Sequence, residues 1–206
     1  MHILMVSGSR NREGRTARAM AAVGKGILSA GGTWESIFLP ELAIEKCRQC
    51  EKDGWGICRT EHRCIIQDDF DSVVTRLKTA DVAVFATPVY FFDLSESLRA
   101  FLDRLRRITP RPGPGSPARR VQTLPGVSPV MPPVGAVPAI GVCIAGGGGR
   151  GAPWCCVMLE RMLPECGFDV VDMIPVNRQN FEFKLPVLEL TGKWLVSKPT
   201  SMRPPE

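Results

Sequence analysis

The stretch "CRQCEKDGWGICRTEHRC" holds four of the chain's eight cysteines, Cys47, Cys50, Cys58 and Cys64, at the spacing C-x2-C-x7-C-x5-C. Four thiols this close suit a soft metal, and a [4Fe–4S] cluster takes four thiolates. Structural zinc favours two close pairs, and here the second pair is separated by five residues. His62 offers a substitute ligand, although a lone loop histidine is more often merely solvated. The third reading is a set of reduced thiols holding no metal, and the residues alone leave all three open.

A second stretch, "SGSRNREGRTARAM", follows the first apolar run. Ser7, Ser9 and Thr16 carry hydroxyls, and Gly8 and Gly14 let the backbone turn sharply. The loop ends at a helix N-terminus, where amide donors and the helix dipole favour a phosphate. Arg10, Arg12 and Arg15 add positive charge. The plainer alternative is a polar strand-to-helix turn with Thr16 as N-cap. No glycine–lysine–Ser/Thr ending is present, which excludes the nucleotide triphosphate loop.

A third stretch, "TPVYFFDLSESLRAFLDR", ends a strand at Thr87 and Pro88. It then presents Val89, Tyr90, Phe91 and Phe92 as an apolar, aromatic ledge suited to a flat ring system. At least one of these rings is expected simply to cap the core. No side chain in these stretches stands out as an acid or base, so no catalytic residue is assigned.

The elements that must position these stretches alternate between short apolar runs and amphipathic segments, the mark of βαβ units. Strands are expected at 2–6, 34–39, 81–86, 139–145 and 168–174. Helices are expected at 16–29, behind Asp68 or Asp69, behind a capping box of Asp93 and Glu96, from Pro153 to before Gly167, and at 187–196. In the third helix Leu94, Leu98, Phe101, Leu102 and Leu105 share the core face, and Arg99, Arg104, Arg106 and Arg107 are read as a solvated surface. Residues 110–138 carry nine of the eighteen prolines and read as an irregular insertion, as does a tail at about 198–206.

One α/β domain follows: a three-layer sandwich on a five-stranded parallel sheet, with flavodoxin-like order 2-1-3-4-5. Loops after the strands share one sheet edge, so the three stretches and the "GGGG" turn at 146–149 are expected to converge there. Gly146, Gly148 and Gly151 also spell G-x-G-x-x-G with Asp169 and Asp172 downstream, but too little chain remains to complete a dinucleotide half.

The chain has 206 residues, 44% hydrophobic and 23% charged, with a net charge of +5. That is a soluble globular mix, and the charge is too scattered to argue for nucleic acid. No export signal and no membrane-length apolar run is visible, so the cytoplasm and reduced thiols are the expectation. Cys143, Cys155, Cys156 and Cys166 sit in strand or helix patterns as small core residues.

The "SGS…GRTA" loop, the aspartate pair before a helix, the TPVYFF segment and the later glycine turn together resemble the NADPH-dependent FMN reductase family. The cysteine loop is similar to that of its iron–sulfur flavoprotein branch. The resemblance is strong over about residues 1–104 and loose over 138–174. It implies that Ser9, Arg10, Asn11, Arg15 and Thr16, with Ser7 nearby, surround the FMN phosphate. Thr87, Pro88, Val89, Tyr90 and Phe91 would line the isoalloxazine, and Gly146, Gly147 and Gly148 would border its other side. Arg10 stands where the family usually has proline, Arg15 where it usually has asparagine, and "EKDGWGI" displaces the third cysteine of the branch's motif. The implied activity is NAD(P)H oxidation through FMN to a quinone, flavin, other small acceptor or iron–sulfur centre. The alternatives are an electron carrier without NAD(P)H activity of its own and a zinc-stabilised binding module. The resemblance also implies a homodimer or homotetramer and small-molecule redox partners, while the scattered charge and short apolar runs lead us to expect no nucleic-acid or membrane partner.

Overall fold

The computed structural model describes residues 1–110 and 137–197. Most of the proline-rich insertion and the tail from 198 therefore lie outside the described residues. Five strands form one parallel sheet: β1 (His2–Ser7), β2 (Thr33–Phe38), β3 (Val82–Val89), β4 (Val137–Ala145) and β5 (Phe168–Asn177), in the order 2-1-3-4-5. Helices α1 (Arg15–Ser29) and α5 (Phe181–Val196) cover one face. Helices α2 (Phe70–Thr79), α3 (Glu96–Ile108) and α4 (Gly151–Glu165) cover the other. The expected fold is the observed one.

The central strands are buried on both faces, which explains their near-continuous apolar character. Along β3, Ala83 and Phe85 face the core shared with α2, α3 and α4, while Val82, Val84 and Ala86 face that of α1 and α5. Cys143, Cys155, Cys156 and Cys166 are buried in the former core, as expected of small apolar side chains.

Three local expectations fail for physical reasons. Helix α5 begins at Phe181, six residues before the expected start, because Pro186 is carried inside it. Proline forfeits one hydrogen bond, but Phe181, Leu188 and Leu195 anchor the helix on both sides of it. The capping box is absent: Ser95 is the N-cap of α3, and Asp93 instead closes a tight turn with Tyr90. Arg104 is not a solvated surface residue but is 1% exposed, since the cysteine loop lies across α3 and covers that side.

Candidate functional site

The strand-to-helix loops after β1, β3 and β4 converge at the sheet edge around one open cavity of about 680 Å³, within the usual range for a small-molecule site. Ser9, Asn11, Gly14, Arg15 and Thr16 line one end. Pro88, Val89, Tyr90, Phe91 and Phe92 line a second side, and Gly146, Gly148, Gly149, Arg150 and Gly151 a third.

The first loop is shaped by its own side chains. The Ser9 amide donates to Ser7 Oγ at 3.2 Å, the Asn11 amide to Ser9 Oγ at 3.2 Å, and the Glu13 amide to Asn11 Oδ1 at 2.8 Å. The Gly8 amide donates to the Ala86 carbonyl at 2.9 Å, which seats the loop on β3. Gly14 is the N-cap of α1, and no side chain caps this helix, nor is there an acidic residue in its first turn. Its leading amides therefore remain available to an anionic ligand, the feature that fits a phosphomonoester. Thr16, the proposed cap, sits buried inside the first turn instead.

The aromatic side is strained. Tyr90 and Asp93 exchange backbone hydrogen bonds of 3.0 Å in both directions, and the two residues between them, Phe91 (φ 50°) and Phe92 (φ 68°), are both left-handed. Two such residues form a type I′ turn, normally made by glycine and asparagine. Phe91 is left 98% exposed. Strain of this kind collects at ligand sites. We expect Phe91→Gly to raise stability by about 0.5–1 kcal/mol, since the left-handed penalty removed exceeds glycine's entropic cost. Thermal unfolding checks this, and an unchanged or lower midpoint would show that the turn is not strained.

Behind the turn, Thr87 is buried. Its Oγ1 donates to the Pro88 carbonyl at 2.9 Å and accepts from the Ser95 amide at 3.0 Å, tying the end of β3 to the start of α3. On the third side, Gly151 has no room for a Cβ, which would fall 2.9 Å from Val89 Cγ1 and 3.3 Å from Phe92 Cα. Gly147 and Gly149 adopt positive φ, and Gln179 Nε2 holds the Gly147 carbonyl at 3.1 Å.

Of the residues assigned to this site from sequence, Ser9, Asn11, Arg15, Thr16, Pro88, Val89, Tyr90, Phe91, Gly146 and Gly148 line the cavity. Ser7, Arg10, Thr87 and Gly147 do not; Ser7, Thr87 and Gly147 support it from behind. Arg12 is turned away, its Nε donating to Glu41 at 2.6 Å and its guanidinium resting 4.6 Å over Phe38. Sequence reasoning missed Arg150 and assigned Gly151 only to a rival glycine fingerprint. The signal available was their position at the N-terminus of α4, directly after the glycine turn.

The four cysteines of the second site share one small recess, lined by Cys47, Cys50, Cys58 and Cys64 with Arg48, Arg104 and Arg107 among its other walls. His62 is outside it. Among the described residues, no three histidine, cysteine, aspartate or glutamate side chains stand close enough together to hold a metal ion. The donor type suits a soft metal, but the thiols as placed stand too far apart to hold one. The recess also departs from the expected edge. Its wall includes Arg104, Arg107 and Ile108, which lie about 12 Å or more along α3 from Glu96, the residue at the cavity end. The recess and the cavity share no lining residue.

Within this loop Arg104 is the organising side chain. Its Nη1 donates to Asp68 Oδ2 at 2.6 Å and to the Glu45 carbonyl at 3.1 Å, and its guanidinium stacks 4.2 Å over Phe70. Asp68 also accepts from the Glu45 amide at 2.8 Å and the Phe70 amide at 3.1 Å. Burial pushes the Asp68 carboxyl up, but the guanidinium and the two amides together hold it below the usual carboxylate range.

The comparisons agree with this architecture. Over 106 residues the chain is 31% identical to an iron–sulfur flavoprotein of Methanocaldococcus jannaschii, covering 52% of each protein. It is 27% identical over 104 residues to an iron–sulfur flavoprotein of Methanosarcina thermophila, covering 50% of this chain and 52% of that one. The matched region thus spans about half the length of these relatives. Among solved structures, the NAD(P)H:quinone oxidoreductase from Methanothermobacter marburgensis superposes with a TM-score of 0.64 at 18% identity, covering 95% of this chain and 96% of that one. A flavone reductase gives 0.63 at 18% identity, covering 96% of this chain and 62% of that one. No helix among the described residues is long and apolar enough to cross a membrane. The model of the NADPH-dependent FMN reductase family matches residues 1–182, and the chain belongs to that family.

Proposed function

We propose that the chain is an FMN-dependent NAD(P)H oxidoreductase that delivers electrons to a quinone, a flavin or another small acceptor. The observation that carries this reading is the cavity at the β1/β3 switch point, with uncapped helix amides at one end and an aromatic turn at the other. FMN, when bound, supplies the hydride and electron chemistry. The chain's own part is binding and orientation. The amides of α1, Ser9, Thr16 and Arg15 hold the phosphate, while Val89, Tyr90, Phe91 and the glycine turn flank the ring. Arg150, beside the glycine turn, would add positive charge to that wall of the cavity.

The visible spectrum of the purified protein, before and after FMN is added, tests the reading. A yellow complex that NADPH bleaches is the expected result, and a colourless protein that takes up no FMN would end it. An FMN complex that NADPH leaves oxidised would reduce the protein to an electron carrier. We further expect Gly151→Val to weaken FMN binding about tenfold or more, because the new side chain must displace Val89 and Phe92. Equal affinity by fluorescence titration would remove that wall from the site.

The four-cysteine loop is proposed as a second redox station, a [4Fe–4S] centre held by Cys47, Cys50, Cys58 and Cys64. The shared recess and the similarity to iron–sulfur flavoproteins support it. Iron and acid-labile sulfide in anaerobically purified protein would bear it out; zinc would reassign the loop, and no metal at all would discard the centre.

A further inference from the structure

Helix α5 is apolar on two opposite sides. At about 100° per residue, Phe181, Leu188, Gly192 and Leu195 fall together on the side buried against α1 and the sheet. Phe183, Val187, Leu190 and Trp194 fall within about 60° of one another on the side that faces away. They follow one another at the four–three–four spacing of a coiled-coil seam. The charged side chains Glu182, Lys184, Glu189 and Lys193 are confined to the flanks between the two stripes.

The outer stripe is in water. Phe183 is 74% exposed and Leu190 62%, and Val187 and Trp194 are each exposed by more than a third. Together they leave roughly 400 Å² of apolar side chain uncovered, the size of patch that usually marks a contact site. A helix that is apolar all round is normally a buried one.

The stripe is complementary to itself. In an antiparallel two-fold pairing centred between Leu188 and Glu189, Phe183 faces the partner's Trp194 and Val187 faces the partner's Leu190. Every apolar side chain then meets another, and each contact occurs twice. The same register brings Glu182 beside the partner's Lys193 along one flank, and it keeps Lys184 and Lys193 on opposite flanks. Antiparallel order also sets opposite ends of the two helix dipoles together. Two such faces bury about 800 Å² from these four side chains alone. Exposed Pro186 and the stems of the flanking charged residues carry the total past the roughly 1,000 Å² expected of a specific interface.

We propose that α5 is a self-association surface, through which two copies of the chain pair by Phe183, Val187, Leu190 and Trp194 of antiparallel helices. None of the four side chains lines the cavity, so this pairing and the flavin reading stand or fall separately.

Sedimentation equilibrium of the full-length protein, from about 1 to about 100 µM, spans the range in which an interface of this modest size dissociates. The parent should be a dimer, or a larger oligomer containing this pair. Leu190→Glu should weaken the association about 100-fold or more, because it desolvates two carboxylates in the seam. The position is exposed, so the fold should persist, which circular dichroism checks. Phe183→Glu and Trp194→Lys should each dissociate the pair in the same way. The double variant should recover about tenfold or more of the lost affinity, since opposite charges then meet across the two-fold axis. A monomeric parent, or an oligomer that Leu190→Glu leaves intact, would overturn the surface. Single variants that dissociate and a double variant that stays monomeric would overturn the antiparallel pairing.

Discussion

Arg104→Met lowers the unfolding free energy by about 3–5 kcal/mol, the usual cost of stranding one partner of a buried ion pair. The substitution nearly conserves volume, so cavity formation contributes little. What it removes is the charge facing Asp68, whose side chain is 6% exposed, together with the donors that close the cysteine loop at Glu45 and Ile66. Exposed ion pairs of the same chain, such as Lys46 with Glu96 or Arg59 with Asp53, should matter far less, since water screens them. Asp68→Asn in the Arg104→Met background should recover part of the loss, because it removes the stranded charge. Denaturant unfolding measures both variants, and a loss below about 1 kcal/mol in Arg104→Met would show that water reaches the pair.

The same pair sets an acid limit. Asp68 is held below its unfolded-state pKa, so the folded protein binds its proton less readily than the unfolded chain does. Its contribution is therefore complete above the ordinary aspartate range, near pH 4, and is lost as pH falls through the depressed folded value. Arg104→Met should flatten the acid limb of the stability profile in addition to lowering the plateau.

Where the sequence was legible, the information was local. "DVAVFA" announces a central parallel strand because both its faces are buried, and the loop from Ser7 to Thr16 announces a wall of the cavity because its hydroxyls, glycines and helix start are contiguous. Arg104 was misread because its neighbours in sequence, Arg99, Arg106 and Arg107, are more exposed and mark a polar side of the helix. Only the cysteine loop folding back from forty residues upstream buries it. Asp93 looked like a cap because the spacing to Glu96 was right, yet the Tyr90 turn claims it. Nothing local marks Phe91 and Phe92 as left-handed, since phenylalanine is a poor choice there. The four thiols line one recess, but it lies away from the expected edge because the loop runs along α3 rather than stopping at the end of β2.

Gly26→Ala should cost about 2–3 kcal/mol, against the gain of about 1 kcal/mol that alanine brings to an unconstrained helix interior. The sign is decided by α5. A Cβ on Gly26 would fall inside the contact shell of the Glu189 carbonyl oxygen, 2.9 Å from Glu189 C and 2.9 Å from Lys193 N. A Cβ on Gly192 would meet the Val23 carbonyl group in the same way, 2.9 Å from its carbon and 3.0 Å from Ile27 N. These obstacles are backbone, so no rotamer change relieves them and the helices must separate. Separation opens the core of Val23, Ile27, Leu188 and Leu195, and the exposed ion pairs of Arg18 with Glu182 and Lys25 with Glu189 are too weak to oppose it. Because both glycines serve one helix-to-helix distance, the double alanine variant should cost clearly less than the sum of the two singles. Helix α1 also carries the proposed phosphate amides at its N-terminus, so Gly26→Ala should weaken FMN binding although it lies three turns from the cavity. A Gly26→Ala protein as stable as the parent in urea, with equal FMN affinity, would mean that α1 and α5 are not in backbone contact.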